Sequence, residues 1–275
     1  MKPWHGKLKL TYEKRNQSTR VFGAYSQSPL KIQRSFHPEG KEICHSVILH
    51  TAGGIVGGDR LSQQVHLQSH AEASITTVAA SKVYRSNEKT SQQTINLQLD
   101  DNAYLEYLPR ETIVFDGAIY RQDTRIELGE NAVWLGWEIV RFGRTARGER
   151  FHSGVWRSNT EVWQNRKPLW IDRTQLKGGS ELLDSPNGLN GQPVIATFCW
   201  IGQAISEDIL KKARMVWQAR DTRGEIGLTR LDCGLIGRYR GRSTQEALDR
   251  FLDLWQLLRW EYRDRSAIKI RAWQN

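Results

Sequence analysis

The stretch His50-Thr51-Ala52-Gly53-Gly54-Ile55-Val56-Gly57-Gly58-Asp59-Arg60-Leu61 decides how the rest of the chain is read. Two glycine pairs, Gly53-Gly54 and Gly57-Gly58, bracket two β-branched residues and close on one carboxylate, Asp59. Such backbone turns tightly where side chains do not fit. No Lys-Ser/Thr pair follows the last glycine and the glycine spacing is wrong for a dinucleotide fingerprint, so neither phosphate-binding motif is present. The segment reads as a paired turn or bulge inside β structure, with Asp59 held at its end.

Around it the pattern is period two. Leu30, Ile32 and Phe36 alternate with Lys31, Gln33 and Ser35, and Ile95, Leu97 and Leu99 alternate with Thr94, Asn96 and Gln98. Alternation of this kind turns one set of side chains inward and the other to water, as a half-buried strand requires. Strands follow one another from Lys7 to about Ser158, separated by turn signals such as Asp100-Asp101-Asn102 and Gly129-Glu130-Asn131. Short strands at intervals of about ten residues exclude an α/β fold and leave a sandwich, a barrel or a β-helical stack. Val65 to His70 also reads as a strand, which would set His66 and His70 too far apart to share a metal ion.

From Arg173 to Pro193 the chain turns to Gly, Ser, Asn and Pro, and a long loop is expected. One strand, Val194 to Ile201, precedes a helix capped by Ser206, with Glu207 and Asp208 in its first turn and Ile209, Ala213, Val216 and Trp217 on one face. A second helix starts at the capping box Ser243-Thr244-Gln245-Glu246 and carries Leu248, Phe251, Leu252, Trp255 and Leu258. Both apolar stripes are expected to pack on a sheet. The basic cluster Gly237-Arg238-Tyr239-Arg240-Gly241-Arg242 reads as a solvated loop.

The 275 residues contain three cysteines, Cys44, Cys199 and Cys233, an odd and scattered set that fits plain core residues in a reducing compartment. No run is apolar enough to span a bilayer and Met1-Lys2-Pro3-Trp4-His5 is not a signal peptide, so a cytoplasmic protein is expected. A net charge of +10 asks for an acidic partner, but no nucleic-acid reader motif is present. Eleven tryptophans would suit a sugar-binding β protein, yet Trp134, Trp137, Trp163, Trp170, Trp255 and Trp260 sit in apolar stretches suited to core or interface packing. No nucleophile elbow, zinc-protease motif or paired catalytic signature appears.

Two further segments accompany the glycine-rich one: Thr76-Thr77-Val78-Ala79-Ala80-Ser81-Lys82-Val83-Tyr84-Arg85-Ser86 and Leu105-Glu106-Tyr107-Leu108-Pro109-Arg110-Glu111-Thr112-Ile113-Val114-Phe115-Asp116-Gly117-Ala118. With Gly6-Lys7-Leu8, Pro29-Leu30-Lys31-Ile32-Gln33, Trp137-Glu138, Gly143-Arg144 with Gly148-Glu149-Arg150-Phe151, and Arg271-Ala272-Trp273, they resemble the urease accessory protein UreD (UreH) family along the whole chain. Ala52, Val78 and Ile270 stand where the family pattern has proline, which alters turn stiffness rather than charge.

The resemblance implies a mainly β fold of many strands in a β-helical, stacked-sheet architecture with two C-terminal α-helices. It implies one domain over residues 1–275, strand-rich at 7–172, a loop at 173–193 and a strand–helix region at 194–275. It also implies a non-catalytic chaperone that meets apo-urease, UreF and the GTPase UreG, with nickel moving through an internal passage. No cofactor is held tightly; Ni²⁺ is transient, and neither nucleic acid nor membrane is a partner. On that view Asp59 lines the passage with Ser81 beside it, and Glu138 and Asp172 are further candidates. Gly53, Gly54, Gly57 and Gly58 belong to the structural motif, and Lys82, Tyr84 and Arg85 shape structure or an interface rather than bind a cation, since two of the three repel it. The alternative is a basic β-rich protein that binds an acidic surface or polymer and has no metal role.

Overall fold

The first strands, β1 (His5–Arg15) and β2 (Ser18–Gln27), form an antiparallel hairpin, followed by β3 (Leu30–Ile32) and β4 (Ile43–His50). The chain then winds in coils: β5 (Arg60–Leu67), β6 (Glu72–Thr77) and β7 (Ser81–Val83); β8 (Ser91–Leu99), β9 (Tyr104–Leu108) and β10 (Thr112–Val114); β11 (Ile119–Leu128) and β12 (Val133–Phe142); then β13 (Val155–Gln164) and β14 (Lys167–Lys177). After β15 (Val194–Ile201) come α1 (Glu207–Gln218), β16 (Glu225–Leu231), β17 (Gly234–Gly241) and α2 (Thr244–Arg263). This computed structural model describes residues 3–219, 223–268 and 270–273, so Met1 and Lys2 of the opening segment lie outside them.

The coils stack two sheets. One has the order β14-β13-β11-β8-β5-β1-β2, in which β1, β5, β8, β11 and β13 run parallel and the end strands antiparallel. The second runs β16-β17-β15-β12-β9-β6-β4-β3, with β4, β6, β9 and β12 parallel. The architecture is the stacked-sheet β-helical one, with both helices C-terminal.

One side of the stack is made by a repeated turn. Leu67-Gln68-Ser69-His70-Ala71, Leu99-Asp100-Asp101-Asn102-Ala103 and Leu128-Gly129-Glu130-Asn131-Ala132 each bury their first and last residues. The fourth residue is left-handed in all three, with φ of 65°, 59° and 53°, a conformation that asparagine tolerates. Neighbouring turns are joined: the His70 N–H donates to the Asp101 carbonyl at 3.0 Å and the Asn102 N–H to that of Glu130 at 2.8 Å. His70 is thus a turn residue rather than the end of a strand; β5 stops at Leu67, and His66 pairs with Asp100 at 2.8 Å.

Inside the stack, Leu8, Leu67, Val65, Leu97, Leu99, Leu105 and Ile126 join one apolar core. A second core lies on the outer face of the other sheet, where Trp137, Phe198 and Trp200 meet Ala213, Trp217, Phe251 and Trp255 of the helices. The helical stripes therefore cover a sheet, as their periodicity requires. Ser206 Oγ accepts the Ile209 N–H at 3.2 Å and Ser243 Oγ the Glu246 N–H at 3.1 Å. The expected capping box is only half used, because the Glu246 carboxylate accepts the Gly224 N–H instead.

Two expectations are corrected. The strand β14 runs on to Lys177 through what reads as loop; its outward residues Ile171, Arg173 and Gln175 alternate with inward Asp172 and Thr174, so polarity on both faces hides the strand. Residues 178–193 are irregular apart from a 3-10 turn, Glu181–Leu183. The basic cluster is likewise no loop but the end of β17, where Arg238 pairs with Asp172 and Arg240 with Glu225. The three cysteines are free, Cys44 and Cys199 in the core and Cys233 half-buried.

Candidate functional site

Opposite the repeated turns, the coils close through short corners, and these are the segments that carry the sequence motifs. Ile55 of the glycine-rich stretch bridges Val83 in parallel; β7 pairs with β10, and β10 with the end of β12. Successive coils thus stack one motif on the next. The Ile55 N–H donates to the Lys82 carbonyl at 2.7 Å and the Tyr84 N–H to that of Ile55 at 2.9 Å.

Close packing explains two of the four glycines. A Cβ on Gly54 would lie 2.7 Å from the Lys82 carbonyl oxygen and against the Tyr84 ring, and one on Gly57 would strike Ser86. Gly58 has φ of +92°, whereas Gly53 has open space around it. Tyr84 donates to the Gly53 carbonyl at 3.1 Å and meets Phe115 edge-on; Arg85 pairs with Asp116 at 2.9 Å. Lys82 is exposed.

Asp59 is fully buried, and its carboxylate accepts the Trp4 N–H at 2.7 Å and the Val56 N–H at 2.9 Å. Each oxygen is held by backbone. It ties the glycine-rich turn to the chain start and is not among the residues lining the cavity described next.

That cavity, of about 480 Å³, lies between the sheets and opens at the corners beside Gly53, Val78, Ala79 and Lys82. Ser81 lines it near this mouth; Glu138 and Asp172 line it farther in. Of the four candidate carboxylate and hydroxyl residues, three are brought to one chamber and Asp59 stays outside its wall.

Part of the chamber wall is polar because of what alternates inward. Along one sheet, paired rows run Leu61–Gln93–Gln122–Ser158–Thr174 and Gln63–Ile95–Thr124–Thr160–Asp172. Nearer the repeated turns the same strands turn in leucine, isoleucine and valine. Polar groups buried without partners are costly, and some are paired here: Tyr107 donates to Gln63 at 2.8 Å and Tyr120 to Gln122 at 3.1 Å. Thr124 and Thr160 line a space large enough for water.

Glu138 stands on the opposite sheet, accepting from the Ser158 hydroxyl and from Gln122 Nε2, each at 2.9 Å. Its residual exposure is to the chamber, since it lines both this cavity and a second one. Burial pushes its pKa up to about 7, Asp172 adds to the rise, and the Ser158 hydrogen bond and Arg238 oppose it. Asp172 is paired with Arg238 at 2.8 Å, and Arg238 also donates to Thr197 at 2.7 Å. Glu138, Asp172 and Thr197 are shared with the second cavity, of about 300 Å³, which Arg238 lines.

His50 also lines the chamber; its buried Nε2 has no hydrogen-bond partner, while its Nδ1 lies 3.2 Å from the Ala52 carbonyl oxygen. Burial lowers its pKa, which favours a neutral ring. Trp273 donates to the Thr77 carbonyl at 3.1 Å and packs on Trp137, so the chain's closing motif braces the same region. Neither His50 nor Arg238 is singled out by spacing. The inward glutamines are legible as a polar row inside otherwise apolar strands. Among the described residues, no three His, Cys, Asp or Glu side chains are grouped to hold a metal ion.

The fold and the site define a class: a stacked-sheet β protein built around a chamber between its sheets, part polar and part apolar, with the Glu138 carboxylate in its wall. The chain belongs to the UreD urease accessory protein family, whose model matches residues 5–274. It is 54% identical over 271 residues to the urease accessory protein UreD of Nostoc punctiforme (strain ATCC 29133 / PCC 73102), covering 98% of this chain and 96% of that one. It is 52% identical over 270 residues to that of Acaryochloris marina (strain MBIC 11017), covering 98% and 95%, and 42% identical over 257 residues to that of Synechocystis sp. (strain ATCC 27184 / PCC 6803 / Kazusa), covering 93% and 95%.

Proposed function

We propose that this chain serves urease maturation as a non-catalytic scaffold and metallochaperone. In this reading it binds apo-urease together with UreF and UreG, and nickel crosses the chamber on its way to the urease active site. The observation that carries the reading is the chamber itself, with Glu138 and Asp172 in one polar space reached from the corner mouth.

The chemistry suits transit. Nickel lies high in the divalent affinity series, so a cage of imidazoles or thiolates would retain it. Oxygen donors, with the single imidazole of His50 in the same lining, let an ion bind and leave. A carboxylic acid with a pKa near 7 is half protonated at neutral pH, and a dication that binds there displaces the proton. The ion's positive charge also competes with Arg238 for Asp172. Asp59 has a supporting part, fixing the turn that shapes the mouth.

The test is co-expression with the urease structural subunits and the other accessory proteins, comparing wild type with Glu138→Gln, Asp172→Asn and the double variant that combines them. Intact complexes that leave urease poor in nickel and slow in urea hydrolysis are expected. Normal nickel content in the double variant would remove the passage, and failure of the wild-type chain to join any of these proteins would remove the scaffold role as well.

A further inference from the structure

A third cavity, of about 340 Å³, lies away from the chamber where the corner after β12 meets residues 183–193. Its floor is apolar: Phe142 and Phe151, whose rings are 5.6 Å apart, with Leu183, Leu189 and Pro193. Its rim is cationic. Arg150 and Arg242 line it, and Arg141, Arg144 and Arg147 stand on the adjoining corner.

Only part of that charge is neutralised. Arg144 pairs with Glu149, and Arg150 with Asp184 at 2.5 Å. The Arg141 guanidinium is spent on Thr145 and on the Arg242 carbonyl. The side chains of Arg147 and Arg242 are exposed and have no carboxylate partner among the described residues. In addition, Gln192 lines the cavity with a buried Oε1 that accepts no hydrogen bond.

We propose that this cavity docks an acidic segment of a partner protein, which inserts one aliphatic or aromatic side chain against Phe142 and Phe151 and sets flanking carboxylates against Arg147 and Arg242. An apolar anchor in a concave pocket ringed by polar contacts is the usual anatomy of a protein hot spot. Arginine suits the rim because its planar fork matches a carboxylate. The unsatisfied Gln192 oxygen is an acceptor for a backbone N–H of the inserted segment. Nucleic acid fits less well: it calls for a basic stripe that follows phosphates, whereas here the cations surround an apolar hollow. The inference stands apart from the metal-passage reading, since the two cavities share no lining residue.

The experiment measures binding of the full chain to a fluorescein-labelled peptide, Glu-Glu-Asp-Leu-Phe-Glu-Glu, by fluorescence polarisation. Controls are the same peptide with Ser-Ser in place of Leu-Phe, and a short DNA duplex as competitor. The expected result is saturable binding weakened by salt, weakened about tenfold in the Arg147→Glu/Arg242→Glu double variant and unchanged by Lys211→Glu on α1. The affected residues are exposed, so circular dichroism should show both variants folded. Absence of binding overturns the proposal. Equal binding of the serine peptide reduces the site to diffuse charge, and displacement by DNA with the same variant dependence makes it a nucleic-acid surface; either result overturns it too.

Discussion

Arg259 on α2 and Glu106 on β9 form an ion pair at 2.8 Å in which neither side chain is exposed. Glu106 also accepts from Trp255 Nε1 and from the Tyr104 hydroxyl, each at 2.8 Å, and Arg259 reaches Glu39 at 2.8 Å and the Ser266 carbonyl at 2.7 Å. The last helix is therefore fastened to the solenoid through charge as well as through the aromatic core. Removing one member of a buried pair leaves the other desolvated and unpaired, which costs about 3–5 kcal/mol. Arg259→Met is expected to lower the unfolding free energy by about that much in urea titrations. Adding Glu106→Gln should restore part of the loss, because the stranded charge is gone. A loss below about 1 kcal/mol would mean that the pair is not what fastens α2.

Glu138 predicts an inverted pH response. Its pKa is about 7 in the folded protein, above the ordinary carboxylate value, so the folded state holds a proton that the unfolded chain has released. Its contribution is fully present below about pH 4.5 and is lost as pH rises through 7. Glu138→Gln keeps a polar side chain without the charge. It should be more stable than wild type above pH 7, by about 1–3 kcal/mol, with the advantage vanishing near pH 4.5. Thermal melts of both proteins across that range provide the check. A stabilised variant that fails in nickel delivery would separate the residue's function from folding.

The glycine-rich stretch predicts a contrast between neighbours. Gly54→Ala forces a Cβ toward the Lys82 carbonyl and the Tyr84 ring, and should cost about 1–3 kcal/mol by overpacking. Gly53→Ala adds a methyl group to open space and should stay within about 0.5 kcal/mol of wild type. Chemical denaturation of the two single variants measures this directly. Equal losses would point to chain entropy rather than close approach as the reason for the glycines.

How much of this was legible in the sequence differs from element to element. The inner strands announce themselves, because Ile95, Leu97 and Leu99 turn inward against polar neighbours, and the helices show in their caps and stripes. What hides is structure whose inward face is polar. In β14, Asp172 points to the chamber and Thr174 to the second cavity, and in β17 Arg238 reaches across to Asp172, so the ends of both strands look like loop. An internal passage is expected only from the family resemblance; the inward Gln63, Gln93 and Gln122 are the residue-level signal of the chamber, and they go unread. Turns Asp100-Asp101-Asn102 and Gly129-Glu130-Asn131 are readable singly, yet their kinship with Gln68-Ser69-His70, which reveals the coil repeat, needs the shared left-handed position to be recognised. Asp59 shows the limit of motif reasoning: the carboxylate is fixed in place, as its glycine context indicates, but it is fixed by amides and is not among the residues lining the cavity.

That geometry yields the final prediction. Asp59→Ala leaves the Trp4 and Val56 N–H groups without their acceptor in a buried position, and each such group costs about 1–3 kcal/mol. The variant should therefore melt earlier, while Asp59→Asn, which can still accept through its amide oxygen, should fall between it and wild type. Because Asp59 is outside the chamber wall, urease activation by either variant should track the folded fraction. The two roles part at low temperature, where the variant is folded: activation per folded molecule should then equal wild type. A deficit in nickel transfer that persists in fully folded Asp59→Ala, with partner binding intact, would return Asp59 to the ion's route and require the turn to open during transfer.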